Sequence, residues 1–169
     1  SKEFAQLMSQ VLDFDSVARA LAINQVVSNF DGMMKGNNFY LYKNPLSNKF
    51  EAILHGFIYP WSSASSTLND LYGCCGSTNS QWPKLLDILE FKNMFNYYAG
   101  LLVNKVLSPT NIIPRMEWYN NMLDSVIRID RSYALAPGRN EKYMNGETTD
   151  LISFIQIRNF MVKQFLAQQ

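Results

Sequence analysis

The segment "SVARALAINQVVSNF", from Ser16 to Phe30, carries apolar residues around most of a helix rather than along one stripe. These residues are Val17, Leu21, Ile23, Val26, Val27 and Phe30. A helix at a protein surface needs apolar residues only on the face that meets the core. We therefore predict that this helix is buried on more than one side. Asp15 is the predicted N-cap, and the helix is predicted to end near Phe30.

The two stretches after this helix, "FYLYK" and "KFEAIL", alternate in polarity and are rich in aromatic or β-branched residues, with the turn sequence "NPLSN" between them. This pattern predicts an antiparallel hairpin, Phe39–Lys43 against Lys49–Leu54. Helical periodicity dominates the remainder, beginning with an amphipathic helix over residues 2–12. The predicted fold class is α+β and mostly helical, with the small hairpin packed among five to six helices.

The 169 residues are predicted to form a single domain in three parts. Residues 1–55 supply helices and the hairpin, residues 56–82 a loop, and residues 83–169 a helical subdomain. Within the loop, Gly56–Gln81 is rich in Ser, Gly, Cys and Asn, so it is predicted to be poorly ordered or loosely packed.

In the helical subdomain, apolar stripes predict three helices, separated by two breaks. The first break is "SPTN", and the second is the predicted loop "APGRNEKYMNGE". Thr148 or Thr149 is predicted to cap the last helix. The aromatic pairs Tyr97–Tyr98 and Trp118–Tyr119 lie at helical spacing, and we predict that they are core residues rather than a stacking surface.

Composition excludes several classes of function. The 15 basic and 14 acidic residues are spread without blocks, which argues against a nucleic-acid groove. No apolar run approaches the ~20 residues of a membrane span. Cys74 and Cys75 are adjacent and are expected to be free thiols, because a disulfide between neighbouring residues is strained. His55 is the one histidine, so a zinc site is not expected.

Asp31 follows the apolar helix, and Asn37 and Asn38 come at the start of the first strand, across a Gly-containing turn. If the turn brings them together, their oxygens can share a divalent cation and a phosphate, because magnesium prefers oxygen ligands. In phosphoryl-transfer enzymes an Asp and a following Asn divide the work of orienting the hydroxyl and holding metal. The alternative is ordinary local chemistry, with Asp31 in a turn and the asparagines capping the strand.

The stretch "SVARALAINQVVSNFDGMMKGNNFYLYKNPLSNKFEAI" resembles the central block of the CotH (spore-coat protein H) kinase family of atypical protein kinases. That family shows a helix ending in Asn-x-Asp, a short turn, Asn-Asn-aromatic-Tyr-Leu-Tyr, a second turn and a Lys/Arg-Phe strand. The matching residues are Asn29, Asp31, Asn37, Asn38, Tyr40, Leu41, Tyr42 and Phe50. Residues 10–55 carry the resemblance, and residues 84–169 show it in looser form.

The resemblance implies the helical lobe of a kinase that transfers the γ-phosphoryl group of ATP to protein hydroxyls with magnesium. It implies that Asp31 is the acidic catalytic or metal residue and that Asn37 or Asn38 is its metal- or cofactor-binding partner. A spore-coat, cell-surface or extracellular setting follows from the same resemblance. The alternative is a non-catalytic coat or cell-surface module that works by protein contact.

Two departures from the family pattern favour that alternative. After the second strand the family continues into Pro-Trp-Asp-x-Asp, whose aspartates are expected to bind metal. Here the corresponding sequence is either "LHGFI" or "PWSSAS", which puts Ser62 and Ala64 at the acidic positions and leaves Asp70 as the next acid. The residues before Asp31 read as helix and include no Gly-rich strand, so we interpret the chain as the C-terminal part of a CotH-type domain.

Overall fold

The computed structural model describes residues 2–29, 31–56, 82–134 and 140–169, and for residues 127–134 and 140–150 it describes the backbone alone. Gly56–Gln81, which is predicted to be poorly ordered or loosely packed, lies outside these ranges except for Gly56. Cys74 and Cys75 also lie outside them, as do Ser62, Ala64 and Asp70.

Five α-helices and one two-stranded sheet make up most of the described chain. They are α1 (Lys2–Val11), α2 (Phe14–Val26), β1 (Phe39–Lys43), β2 (Phe50–Leu54), α3 (Leu89–Leu101), α4 (Pro109–Ala134) and α5 (Asn140–Leu166). Short 3-10 helices cover Met33–Lys35 and Trp82–Asp87, and a π-helical turn, Leu102–Val106, extends α3. The mostly helical α+β fold is therefore confirmed.

Helix α2 lies at the centre of the core. Its residues Val17, Ala18, Leu21 and Ala22 have no exposed surface, and the helix packs mainly against α3. The rings of Phe14 and Phe91 meet edge to face at 5.3 Å between centroids. The prediction that this helix is buried on more than one side is confirmed.

The strands β1 and β2 pair antiparallel, with Phe39 opposite Leu54 and Lys43 opposite Phe50. The predicted hairpin is thus confirmed, with β2 starting one residue later than expected. Two of its backbone groups form hydrogen bonds with residues at the beginning of α2. The amide of Ala52 donates to Ser16 Oγ at 3.1 Å, and the carbonyl of Phe50 accepts from the amide of Asp13 at 2.9 Å. These contacts fix the hairpin relative to the central helix.

Both predicted ends of α2 are wrong. The N-cap is Asp13, whose Oδ1 accepts from the amide of Ser16 at 2.9 Å. Asp15 lies in the first turn instead, where it forms an ion pair with Arg19 and accepts a hydrogen bond from the Tyr98 hydroxyl. At the other end the helix stops at Val26, because a left-handed residue follows two positions later.

The second half of the chain brings two further corrections. Helix α5 begins at Asn140, so the predicted loop "APGRNEKYMNGE" is helical over its last residues and the cap at Thr148 or Thr149 is wrong. Tyr97, Trp118 and Tyr119 are 64%, 58% and 54% exposed, so their assignment to the core is also wrong. The break at "SPTN" is confirmed, since α4 starts within it.

Across the residues that the structure describes, no helix combines the length and the apolar character needed to cross a membrane.

Candidate functional site

The C-terminal end of α2 leads directly into the predicted site. The amide of Ser28 donates to the Gln25 carbonyl at 3.1 Å, and the amide of Asn29 donates to the Asn24 carbonyl at 3.0 Å. Ser28 has φ of +52°, the left-handed conformation. These two bonds and that conformation form a Schellman motif, which ends a helix and reverses the chain. The motif turns Asn29 and Asp31 back towards the helix.

A buried asparagine of α2 then holds the turn. Oδ1 of Asn24, which has no exposed surface, accepts from the amide of Met33 at 3.1 Å and from Nδ2 of Asn29 at 3.2 Å. An ideal Cβ built at Gly32 would lie 1.9 Å from the same oxygen. A glycine is therefore required here because the backbone passes directly over Asn24.

Asp31 projects from this turn towards the start of β1, where both asparagines meet it. Nδ2 of Asn37 donates to Asp31 Oδ1 at 2.9 Å, and Nδ2 of Asn38 donates to Asp31 Oδ2 at 3.2 Å. Nζ of Lys35 lies 3.1 Å from Oδ1. The predicted proximity of Asp31 to the two asparagines is confirmed. Their catalytic, cofactor-binding and metal-binding roles stay predictions.

These contacts keep the carboxylate charged. The hydrogen bond from Asn37, followed by that from Lys35, holds the pKa of Asp31 below its ordinary value. The Lys35 charge and the Asn38 amide act in the same direction. The Asp31 side chain is about a quarter exposed, so the ionised group faces solvent on one side.

The donor set was tested against magnesium, which usually takes one or two protein carboxylates and completes its shell with waters and phosphate oxygens. Asp31 supplies one carboxylate. Within the described ranges there is no group of three or more His, Cys, Asp or Glu side chains that could hold a metal ion. Asn37 is exposed, so rotation of its amide group would present Oδ1 in place of Nδ2. Asp31 and Asn37 thus fit two of the oxygen ligands of such an ion, and the rest of its shell would have to come from waters or phosphate oxygens.

Two neighbouring features were not predicted. Oδ1 of Asn29, which is 2% exposed, has no hydrogen-bond partner among the described residues. On the far side of Asn38, the amide of His55 donates to the Asn38 carbonyl at 3.1 Å, and its ring stacks on Tyr40 at 4.3 Å. The Asn29 oxygen and the stacked rings of His55 and Tyr40 thus lie beside the cluster that Asp31 forms with Asn37 and Asn38.

Sequence reasoning missed Asn24 and Lys35. Asn24 lies inside an otherwise apolar helix, and a polar residue at such a position is a signal, because burial requires it to find partners. Lys35 is four residues after Asp31, the spacing of an ion pair on a helix.

The family described as CotH kinase protein matches residues 1–162, which is most of the chain. No curated protein matches it.

Proposed function

The chain belongs to the CotH kinase family, and we propose from this membership that Asp31 serves magnesium-dependent transfer of the ATP γ-phosphoryl group to protein hydroxyls. In this proposal residues 1–169 are the helical lobe of an atypical protein kinase, and transfer is the activity of the intact kinase rather than of this lobe alone. Asp31 is the acidic catalytic or metal residue, and Asn37 or Asn38 is its metal- or cofactor-binding partner.

The single observation that carries the proposal is the pair of amide hydrogen bonds on Asp31. Phosphoryl transfer proceeds with little covalent work for the protein, so a residue contributes mainly by position and charge. A carboxylate held by two consecutive asparagines has both properties. Its lowered pKa means that it stays charged throughout the neutral range, which suits orientation of a hydroxyl or retention of a cation.

Magnesium and ATP are the cofactors that family membership implies. Asp31 and Asn37 would hold the ion, which when bound neutralises charge on the phosphates. Lys35 forms an ion pair with Asp31. A bound metal ion would replace Lys35 as the partner of the Asp31 carboxylate, and the Lys35 ammonium would then lie near enough to bind a phosphate oxygen at the edge of the cluster.

A second candidate function is a non-catalytic coat or cell-surface module that binds another protein. It is favoured by the sequence after the second strand, because "LHGFI" has no acid and "PWSSAS" has Ser62 and Ala64 where the family pattern has metal-binding aspartates. A spore-coat or cell-surface location belongs to both candidates, and the partner is a protein in both.

The test is binding of ATP with Mn²⁺, a paramagnetic substitute for Mg²⁺, followed by NMR. We expect broadening of the side-chain amide signals of Asn37 and Asn38, because paramagnetic relaxation falls steeply with distance. Asp31→Asn should abolish the broadening, and Glu117→Gln, which neutralises an exposed acid on α4, should leave it unchanged. If the wild-type signals do not broaden, or broaden equally in Asp31→Asn, the kinase proposal fails and the binding module is favoured.

A further inference from the structure

Arg158 of α5 is a buried cation at the C-terminal end of α2. Its side chain donates from Nη2 to the Gln25 carbonyl at 2.6 Å and from Nε to the Val26 carbonyl at 3.2 Å. The residue is 4% exposed. The last carbonyls of a helix have no partners within the helix, so a side chain from elsewhere can satisfy them.

Burial of the Arg158 charge between α2 and α5 costs free energy, because the guanidinium loses its contact with water. Burial lowers the pKa of Arg158 to about 10, so the guanidinium stays charged at neutral pH in spite of the desolvation. The negative end of the α2 dipole and the two carbonyls offset part of this cost. Replacement of Arg158 by an apolar residue would remove the cost of burying a charge but would also remove two hydrogen bonds to the end of α2.

The carbonyls that Arg158 binds belong to the turn that places Asp31. Gln25 O also accepts from the amide of Ser28 within the Schellman motif. The preceding residue, Asn24, holds Asn29 and Met33 on either side of Asp31. Arg158 thus binds the end of α2, Asn24 holds residues on both sides of Asp31, and the backbone joins these two sets of hydrogen bonds.

We propose that Arg158 is a positioning residue for Asp31: it holds the end of α2 in the orientation that directs Asp31 onto Asn37 and Asn38. The catalytic importance of this contact rests on the proposed function, but the contact itself can be tested without ATP or magnesium.

The next residue of α5 offers a matched control. Asn159 is 6% exposed, and its Nδ2 donates to the carbonyls of Val103 and Leu107. It therefore satisfies the carbonyls of a different helix end, the π-helical turn after α3. Loss of either side chain removes buried hydrogen bonds made by α5, but only Arg158 contacts the turn before Asp31.

The experiment compares Arg158→Met and Asn159→Ala in the complete chain by NMR of the side-chain amide groups of Asn37 and Asn38. Both variants should lower the melting temperature. Arg158→Met should shift these amide signals and speed the exchange of their protons with water, because the hydrogen bonds from Asn37 and Asn38 to Asp31 lengthen. Asn159→Ala should leave these signals unchanged.

Unchanged Asn37 and Asn38 amide signals in folded Arg158→Met overturn the proposal, as do equal shifts in both variants. If Arg158→Met does not fold, Arg158→Lys decides the question, because lysine keeps the charge but lacks the planar fork that spans two carbonyls. Shifted Asn37 and Asn38 signals in Arg158→Lys support the proposal, and wild-type signals overturn it. Neither readout uses ATP or metal, so a failure of the proposed function would leave this result standing.

Discussion

Nδ2 of Asn37 donates to Oδ1 of Asp31 at 2.9 Å, joining the turn after α2 to a residue two positions before the hairpin. This bond is the first cause of the lowered pKa of Asp31, followed by the hydrogen bond from Lys35. The charge of Lys35 lowers the pKa further, so the amide and the ammonium together favour the ionised carboxylate.

We expect Asn37→Ala to raise the pKa of Asp31, because it removes the first of the contacts that lower that pKa. A carboxyl group whose pKa is lowered on folding adds stability above its ordinary pKa of 3.8 and loses that contribution as the pH falls through the folded-state value. The acid-induced loss of stability should therefore be smaller in Asn37→Ala than in the wild type. Carbon-detected NMR titration measures the pKa of Asp31, and an unchanged value in Asn37→Ala would contradict the prediction.

Gly32→Ala should destabilise the protein, since its Cβ would lie 1.9 Å from Oδ1 of the buried Asn24. Forcing an atom into a packed site typically costs about 1–3 kcal/mol. The control is Gly100→Ala in α3, whose Cβ would make only an ordinary contact at 3.8 Å with Leu166. That variant should be stabilised by roughly 0.5–1 kcal/mol through helix propensity. Urea unfolding measures the free energy of unfolding of both variants. Equal changes in the two would contradict the close approach of the Gly32 backbone to Asn24.

Tyr98→Phe should raise the pKa of Asp15, because the Tyr98 hydroxyl is the first cause of its lowering, ahead of Arg19. The side chains are largely exposed, so the loss of stability at neutral pH should stay below ~1 kcal/mol. Stability from a lowered carboxyl pKa is present above pH 3.8 and lost as the pH falls. Wild type and variant should therefore differ at pH 7 and converge at low pH in urea titrations. If the free energies of unfolding of wild type and variant differ by the same amount at every pH, the contact with Asp15 is not the cause of that difference.

This chain by itself should give only background transfer of radiolabelled phosphate from ATP. Ser62 and Ala64 stand where the family pattern has aspartates, and removal of one preorganised electrostatic contact typically costs about a hundred- to a thousandfold in rate. The assay compares the wild type with Asp31→Ala in magnesium and in manganese. Transfer by the wild type that disappears in the variant would refute this prediction and establish Asp31 as catalytic. Background signals from both would favour the binding module.

The sequence was sufficient where the signal is local. The hairpin follows from alternating polarity on both sides of "NPLSN", because successive side chains of a strand point to opposite faces. The burial of α2 follows from apolar residues around its circumference. The meeting of Asp31 with Asn37 and Asn38 was also predicted, since only a short turn separates them.

Side chains that act across large separations were decided by tertiary structure. Arg158 binds the end of α2 from a helix near the other end of the chain, and no pattern in its own neighbourhood indicates a buried cation. Trp118 and Tyr119 have the spacing of core residues yet are exposed, because helical periodicity identifies an apolar face but not what covers it.

The sequence by itself thus determined the fold class, the hairpin and the residues that surround Asp31. Tertiary structure decided which aspartate caps α2, where α5 begins, and how the end of α2 is held. The reason is physical: turns and strand alternation depend on neighbouring residues, whereas satisfaction of a helix end depends on whichever group packing brings to it.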